Sequence, residues 1–285
     1  MKILAIALLL PILVTAVAAF AADTDLIAYF YGDWGATNIY TIPVGGGEST
    51  QLTSSASNNL DPEWSPDGMK IAFQSDRDGT DAIYIMNVDG SDQVRVTPPG
   101  IRGRNPSWSP DGTQIVFTSA TGIAVIATSG TNLRQLTSSS LRASNPKWSI
   151  EGDKIVFESA RGGDAEIYVM NADGSDITQL TSNSTDDQHP AISPDGTLIA
   201  FNSHAPGRQD YDLFVMKVDG TDLQRLTTAP DLDEYASWSS DGTQLVYCHA
   251  NAALYIINVD GTEKRQLTPS RFWTAGPAWQ PTDND

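Results

Sequence analysis

The sequence predicts an all-β chain folded as a six-bladed β-propeller of four-stranded antiparallel blades, closed by pairing of its amino- and carboxy-terminal strands. Three observations predict this fold. Trp-Ser-Pro-Asp-Gly stands at Trp64–Gly68 and Trp108–Gly112, with variants at Trp148, Ile192, Trp238 and Trp279, about forty to forty-six residues apart. A second string ends in Leu-Thr or Val-Thr at Thr53, Thr97, Thr137, Thr181, Thr227 and Thr268, each eleven residues before the next Trp or Ile192. The two ends of the chain each hold part of a unit, and the parts complement one another. A four-stranded unit of this length, repeated, is the sequence signature of a propeller blade.

Each unit divides in order. Trp64 ends the first strand, and Ser-Pro-Asp-Gly forms a tight turn in which Pro presets φ, Asp caps the backbone and Gly closes. Lys70-Ile71-Ala72-Phe73 is the second strand and Ile83-Tyr84-Ile85-Met86 the third. Asp89-Gly90 is a hairpin signal. Gln93 to Thr97 is the outer strand, its polar alternation suited to a half-exposed edge. Ile27–Thr53 lacks a first strand and Gly276–Trp279 supplies one, so the count is six.

Residues 1–21 read as a secretory signal peptide, with residues 22–285 as the propeller. Lys2 gives a positive start, Ile3 to Val17 is almost wholly apolar, and Ala19-Phe20-Ala21 has small residues at the cleavage-determining positions. Pro11 interrupts the run, and Asp23 and Asp25 follow it, which argues against a membrane anchor. The chain is therefore expected in the periplasm or secreted. A net charge of −18 argues against nucleic acid and anionic membranes as partners. Cys248 is the only cysteine, so no intrachain disulfide forms, and a packed, inert side chain is the expected role.

Spacing is constant from each Trp position to the aromatic closing strand two (Phe73, Phe117, Phe157, Phe201, Tyr247) and from strand three to the closing Thr. All length variation falls in the loop between strands two and three. That loop and the blade connections emerge on one face, where repeat proteins commonly bind. Candidate contacts there are Trp34, His204, Arg208, Tyr211 and Trp273. A ring of residues preceding Pro or Ala before each repeat Trp is expected near the channel mouth: Asp61, Asn105, Asn145, His189, Tyr235 and Gly276. Asp and Asn before Pro are what turns favour, so a structural role suffices for three of them. His189 and Tyr235 break that pattern and are the stronger contact candidates.

Chemistry is less visible. None of the three histidines lies in a His-Glu-x-x-His pattern, and there is no Gly-x-Ser-x-Gly elbow. The loop Asp76–Asp81 lacks the spacing of a calcium hand and reads as a solvated turn. No cofactor or metal is assigned. Four tryptophans share one repeat position with Trp279 and are expected as core between blades; Trp34 and Trp273 fall outside the series and are the candidates for a carbohydrate contact. An alternative is a channel-mouth lyase or hydrolase built on His189, His204 and nearby acids.

The run Pro-x-Trp-Ser-Pro-Asp-Gly-x-x-Ile-x-Phe-x-Ser, then Ile-Tyr-x-Met-Asn-x-Asp-Gly, then Gln-Leu-Thr resembles the repeats of the TolB family, from about Leu26 to Pro281. The resemblance implies a periplasmic component of the Tol–Pal system that binds a peptidoglycan-associated lipoprotein at its propeller. Separately, the chain is expected to be non-catalytic, since no catalytic motif is found, and monomeric. TolB carries a further α/β domain ahead of its propeller, and no counterpart of it stands between the expected signal peptide and the first blade, which puts contact with TolA in doubt. The same repeats occur beside the hydrolase domain of prolyl-oligopeptidase-like enzymes. With neither companion domain recognised, a free-standing binding module is the expectation.

Overall fold

A computed structural model describes residues 25–204, 210–228, 230–271 and 273–282; the expected signal peptide and Arg208 lie outside the described residues. Six four-stranded antiparallel sheets surround a central axis. The second blade is typical: β4 (Asn59–Trp64) lies innermost, followed by β5 (Lys70–Ser75), β6 (Ala82–Asn87) and β7 (Val94–Arg95). The first blade is composite. β24 (Thr274–Trp279) pairs with β1 (Leu26–Tyr31), which continues into β2 (Asn38–Pro43) and β3 (Thr50–Gln51). The only helical element among the described residues is a 3₁₀ turn at Ser139–Leu141.

The outer strands are shorter than the sequence suggests, two residues each. The repeated Thr explains why. Thr53 Oγ1 accepts the Ile39 N–H at 2.9 Å, and Thr97, Thr137, Thr181, Thr227 and Thr268 accept the N–H of Ile83, Ile123, Ile167, Leu213 and Leu254. A side-chain oxygen satisfies a third-strand donor where the backbone ladder ends, and all six threonines are buried.

The other repeat residues have equally local reasons. Ser65 Oγ donates to Asp67 Oδ1 at 2.6 Å and accepts the Lys70 N–H at 2.9 Å, locking the turn after the innermost strand. Gly90 sits at φ +83°, and a Cβ there would stand 2.5 Å from the Leu52 carbonyl oxygen of the preceding blade. Its hydrogen side chain is needed both for the turn and for blade packing. The fixed spacings set register, placing Phe73 opposite Tyr84 and Phe157 opposite Tyr168, with ring centroids 5.8 and 5.7 Å apart. The repeat tryptophans join blades as expected: the Nε1–H groups of Trp64, Trp108 and Trp238 donate to the carbonyls of Ala278, Glu63 and Ala191 on neighbouring innermost strands. Trp148 is only half-buried.

Candidate functional site at the channel mouth

Six innermost strands surround the channel: β24, β4, β8 (Arg104–Trp108), β12 (Ala143–Trp148), β16 (Asp187–Ile192) and β20 (Asp233–Trp238). Each breaks register with its neighbour at the ring position, a β-bulge repeated six times. Asp61, Asn105, Asn145, His189 and Tyr235 all have φ between +48° and +59°, and Gly276 has +57°. The following Pro, or Ala236, lies in the irregular part of the ladder, where a missing N–H costs little. The sequence reading of Asp and Asn as turn residues is therefore corrected: they are left-handed bulge residues within a strand. Asn, Asp and His are the non-glycine residues that tolerate this backbone best, whereas Tyr235 holds it at a cost of about 1 kcal/mol or more.

The bulge aims all six residues at the axis, where they line a cavity of about 70 Å3. Asn105 Nδ2 donates to Asp61 Oδ2 at 3.1 Å. Asp61 lines the narrow channel, and burial pushes its carboxyl above the usual range against the pull of His189, Lys147 and Arg104. The His189 and Tyr235 rings lie 4.1 Å apart, centroid to centroid. His189 is fixed twice more, by Nδ1 against Asn202 Oδ1 at 3.0 Å and by its N–H donating to Glu158 Oε2 at 2.9 Å. Burial also raises the Tyr235 phenol.

One level further from the loops, Lys147 Nζ and Glu63 Oε2 lie 2.5 Å apart. They come from the fourth and second blades, so the ion pair spans the channel. Both side chains also line a wider cavity of about 260 Å3 at the opposite end, ringed by Trp64, Trp108, Trp238 and Trp279. The pair stands between the two cavities and lines both. Sequence reasoning missed it; the signal available was that position between Pro and Trp, where only Glu63 and Lys147 are charged among the six repeats.

The mouth is electrically uneven. Around the fourth to sixth blades, Tyr211 stacks on His204 at 4.1 Å, and its phenol is pushed up to about 12 by burial and by Asp186, Glu234, Glu158 and Asp187. Glu234 is raised by burial while His189 and His204 hold it back. Across the ring, Arg102 and Arg104 both pair with Asp81 at 3.0 and 2.5 Å, their side chains about half exposed. The Asp76–Asp81 loop spends its carboxylates on protein partners: Asp76 on Asn58, Asp78 on Tyr84 and Arg95, Asp81 on the arginines. Among the described residues, no three His, Cys, Asp or Glu side chains are grouped to hold a metal. Trp34 and Trp273 are remote in sequence, yet their rings lie 5.7 Å apart. Cys248 is buried with its thiol 2.9 Å from the Thr274 carbonyl oxygen, and burial pushes it up to about 12. No described helix is long and apolar enough to cross a membrane.

Comparison with known proteins agrees with this architecture. TolB from Acinetobacter baumannii superposes with a TM-score of 0.80 at 26% identity, over 90% of this chain and 67% of that one. A protein assigned to TolB from Agrobacterium tumefaciens gives 0.72 at 21% identity, over 89% of this chain and 91% of that one. An oligogalacturonate lyase in complex with manganese shares the fold at 12% identity and a TM-score of 0.52, over 87% of this chain and 86% of that one. No curated protein matches the chain. The sequence profile of the TolB beta propeller domain matches residues 13–144 and 140–284, and the chain belongs to that family.

Proposed function

We propose that this chain is an exported, non-catalytic scaffold that captures an envelope protein at its loop face, with the channel mouth as the centre of contact. The observation that carries the reading is the ring: six channel-lining residues on repeated bulges, one of them a tyrosine kept in left-handed backbone where Asn, Asp or Gly would be cheaper, with a histidine ring packed against it. The uneven charge around that ring gives a partner an orientation, with acids over the fourth to sixth blades and the Arg102–Arg104 pair across the axis. Family membership makes a peptidoglycan-associated lipoprotein the first partner to test. The reading includes a monomeric propeller and cleavage of residues 1–21 on export to the periplasm.

The test is capture from an envelope extract by the wild-type chain and by a His189→Ala/Tyr235→Ala variant of equal stability. Recovery of a peptidoglycan-associated lipoprotein by the wild type alone supports the reading. Equal recovery by both, or none while a control bait succeeds, refutes it.

A further inference from the structure

A second site lies away from the channel, where the first blade closes. Trp34 stands in the turn between β1 and β2, and Trp273 immediately precedes β24. Tyr31 pairs with Thr274 at the end of that ladder, so both turns leave one paired point and bring the indoles together, tilted by 50°. They are 69% and 48% exposed, a large apolar surface to leave in water.

Described residues of both turns are hydrogen-bonded to their surroundings. The Ala36 N–H donates to the Asp33 carbonyl at 2.9 Å, and the Gly35 N–H donates to Asn58 Oδ1 at 2.7 Å. The Arg271 and Trp273 N–H groups donate to the Ala252 and Asn251 carbonyls at 2.6 and 3.0 Å. Trp273 holds φ +58°, a strained conformation for a bulky residue.

Tyr31 and Thr274, which pair at the base of the two turns, also line a cleft of about 430 Å3 together with Tyr29, Tyr40, Glu48, Ser49 and Arg271; neither indole lines it. No leucine, isoleucine, valine or methionine lines it. Its walls are aromatic faces edged with hydroxyls, poorly suited to an apolar peptide side chain and well suited to a pyranose ring, which has apolar C–H faces and a polar rim. The Arg271 guanidinium lies 5.6 Å from the Tyr31 ring centroid and, among the described residues, pairs with no carboxylate. In a chain of net charge −18, a cation set over an aromatic ring, with Glu48 in the same cleft but no carboxylate within ion-pair distance, fits a ligand carboxylate. We propose that Trp34, Trp273, Tyr31 and Arg271 form a binding site for an acidic saccharide, a pyranose chain bearing carboxylates.

Calorimetric titration with a tetrasaccharide of alternating glucuronate and N-acetylglucosamine, against neutral chitotetraose, tests this. The acidic chain should bind about tenfold more tightly than the neutral one. Trp34→Ala or Trp273→Ala should weaken it by about tenfold or more. Arg271→Gln should abolish only the preference for the acidic chain. All three positions are exposed, and unchanged thermal unfolding confirms that the variants fold. Absence of heat with either sugar, tryptophan variants that bind like the wild type, or no preference for the acidic chain overturns the proposal. None of these outcomes bears on protein capture at the channel mouth.

Discussion

Asp61 accepts the Asn105 amide at 3.1 Å, so adjacent blades are joined by a hydrogen bond in the middle of the channel mouth. A neutral donor is a weak partner for a carboxylate that burial holds above its usual range. A raised folded-state value means the folded state prefers the protonated form. Stability is therefore highest below the ordinary carboxylate range and declines as pH rises through the folded value. Asp61→Asn keeps the geometry and removes the charge. It should raise the melting temperature by a few degrees at neutral pH, on the order of 1 kcal/mol, and leave it unchanged near pH 3. Thermal unfolding at both values checks this. The same variant should capture partner less well, as expected where a strained site serves binding.

Glu166 and Asp187 form a buried acid pair, 5% and 1% exposed. Burial raises both carboxyls, against hydrogen bonds to Glu166 from Thr181 and Asn183 and to Asp187 from Ser203, Thr181 and Asn183. Their folded values lie above the unfolded ones, so the pair favours folding at acid pH and opposes it increasingly as pH rises past the ordinary range. Asp187→Asn should therefore stabilise the chain at pH 8 and have little effect at pH 4. A melting curve against pH that is no flatter in the variant would contradict this.

The buried threonines make a sharper prediction. Thr137 Oγ1 accepts the Ile123 N–H at 2.8 Å in a fully packed environment. Thr137→Val keeps the shape and leaves that donor unpaired, which should cost about 1–3 kcal/mol, with Thr137→Ser costing less. Chemical denaturation gives both values.

Lys147 and Glu63 should be coupled across the channel. Either charge removed alone, as Lys147→Met or Glu63→Gln, leaves its partner facing a narrow channel, whereas the double variant leaves neither. The interaction in a double-mutant cycle should be about 1 kcal/mol, since both side chains keep a quarter to a third of their exposure. Additive effects would show that the pair does not brace the fourth blade against the second.

Cys248, at 1% exposure and with its thiol pushed up to about 12, should resist thiol reagents at neutral pH. Labelling should require denaturant. Rapid labelling of the folded chain would contradict the packing around Thr274.

The blade count, the closure by both ends and the position of the ring were legible because six imperfect copies separate scaffold from variation. The short outer strands were not. The role of Thr as a side-chain substitute for a ladder acceptor is invisible in a pattern of apolar and polar residues. The left-handed bulges were hidden for a related reason, since Asn-Pro and Asp-Pro suggest a turn as readily as a kink within a strand. The Lys147–Glu63 bridge and the Trp34–Trp273 contact depend on closure of the ring, which joins residues that no local window contains.

Capture at the loop face is the central claim, and site-specific photo-crosslinking tests it most directly. A photoreactive residue replacing Tyr235 at the ring, or Asp111 on the opposite turn face, would be exposed to an envelope extract containing the peptidoglycan-associated lipoprotein. Adducts with that lipoprotein from position 235 and none from position 111 are the predicted result. Adducts from position 111 alone, or from both positions equally, would contradict the assignment of the channel mouth as the binding site.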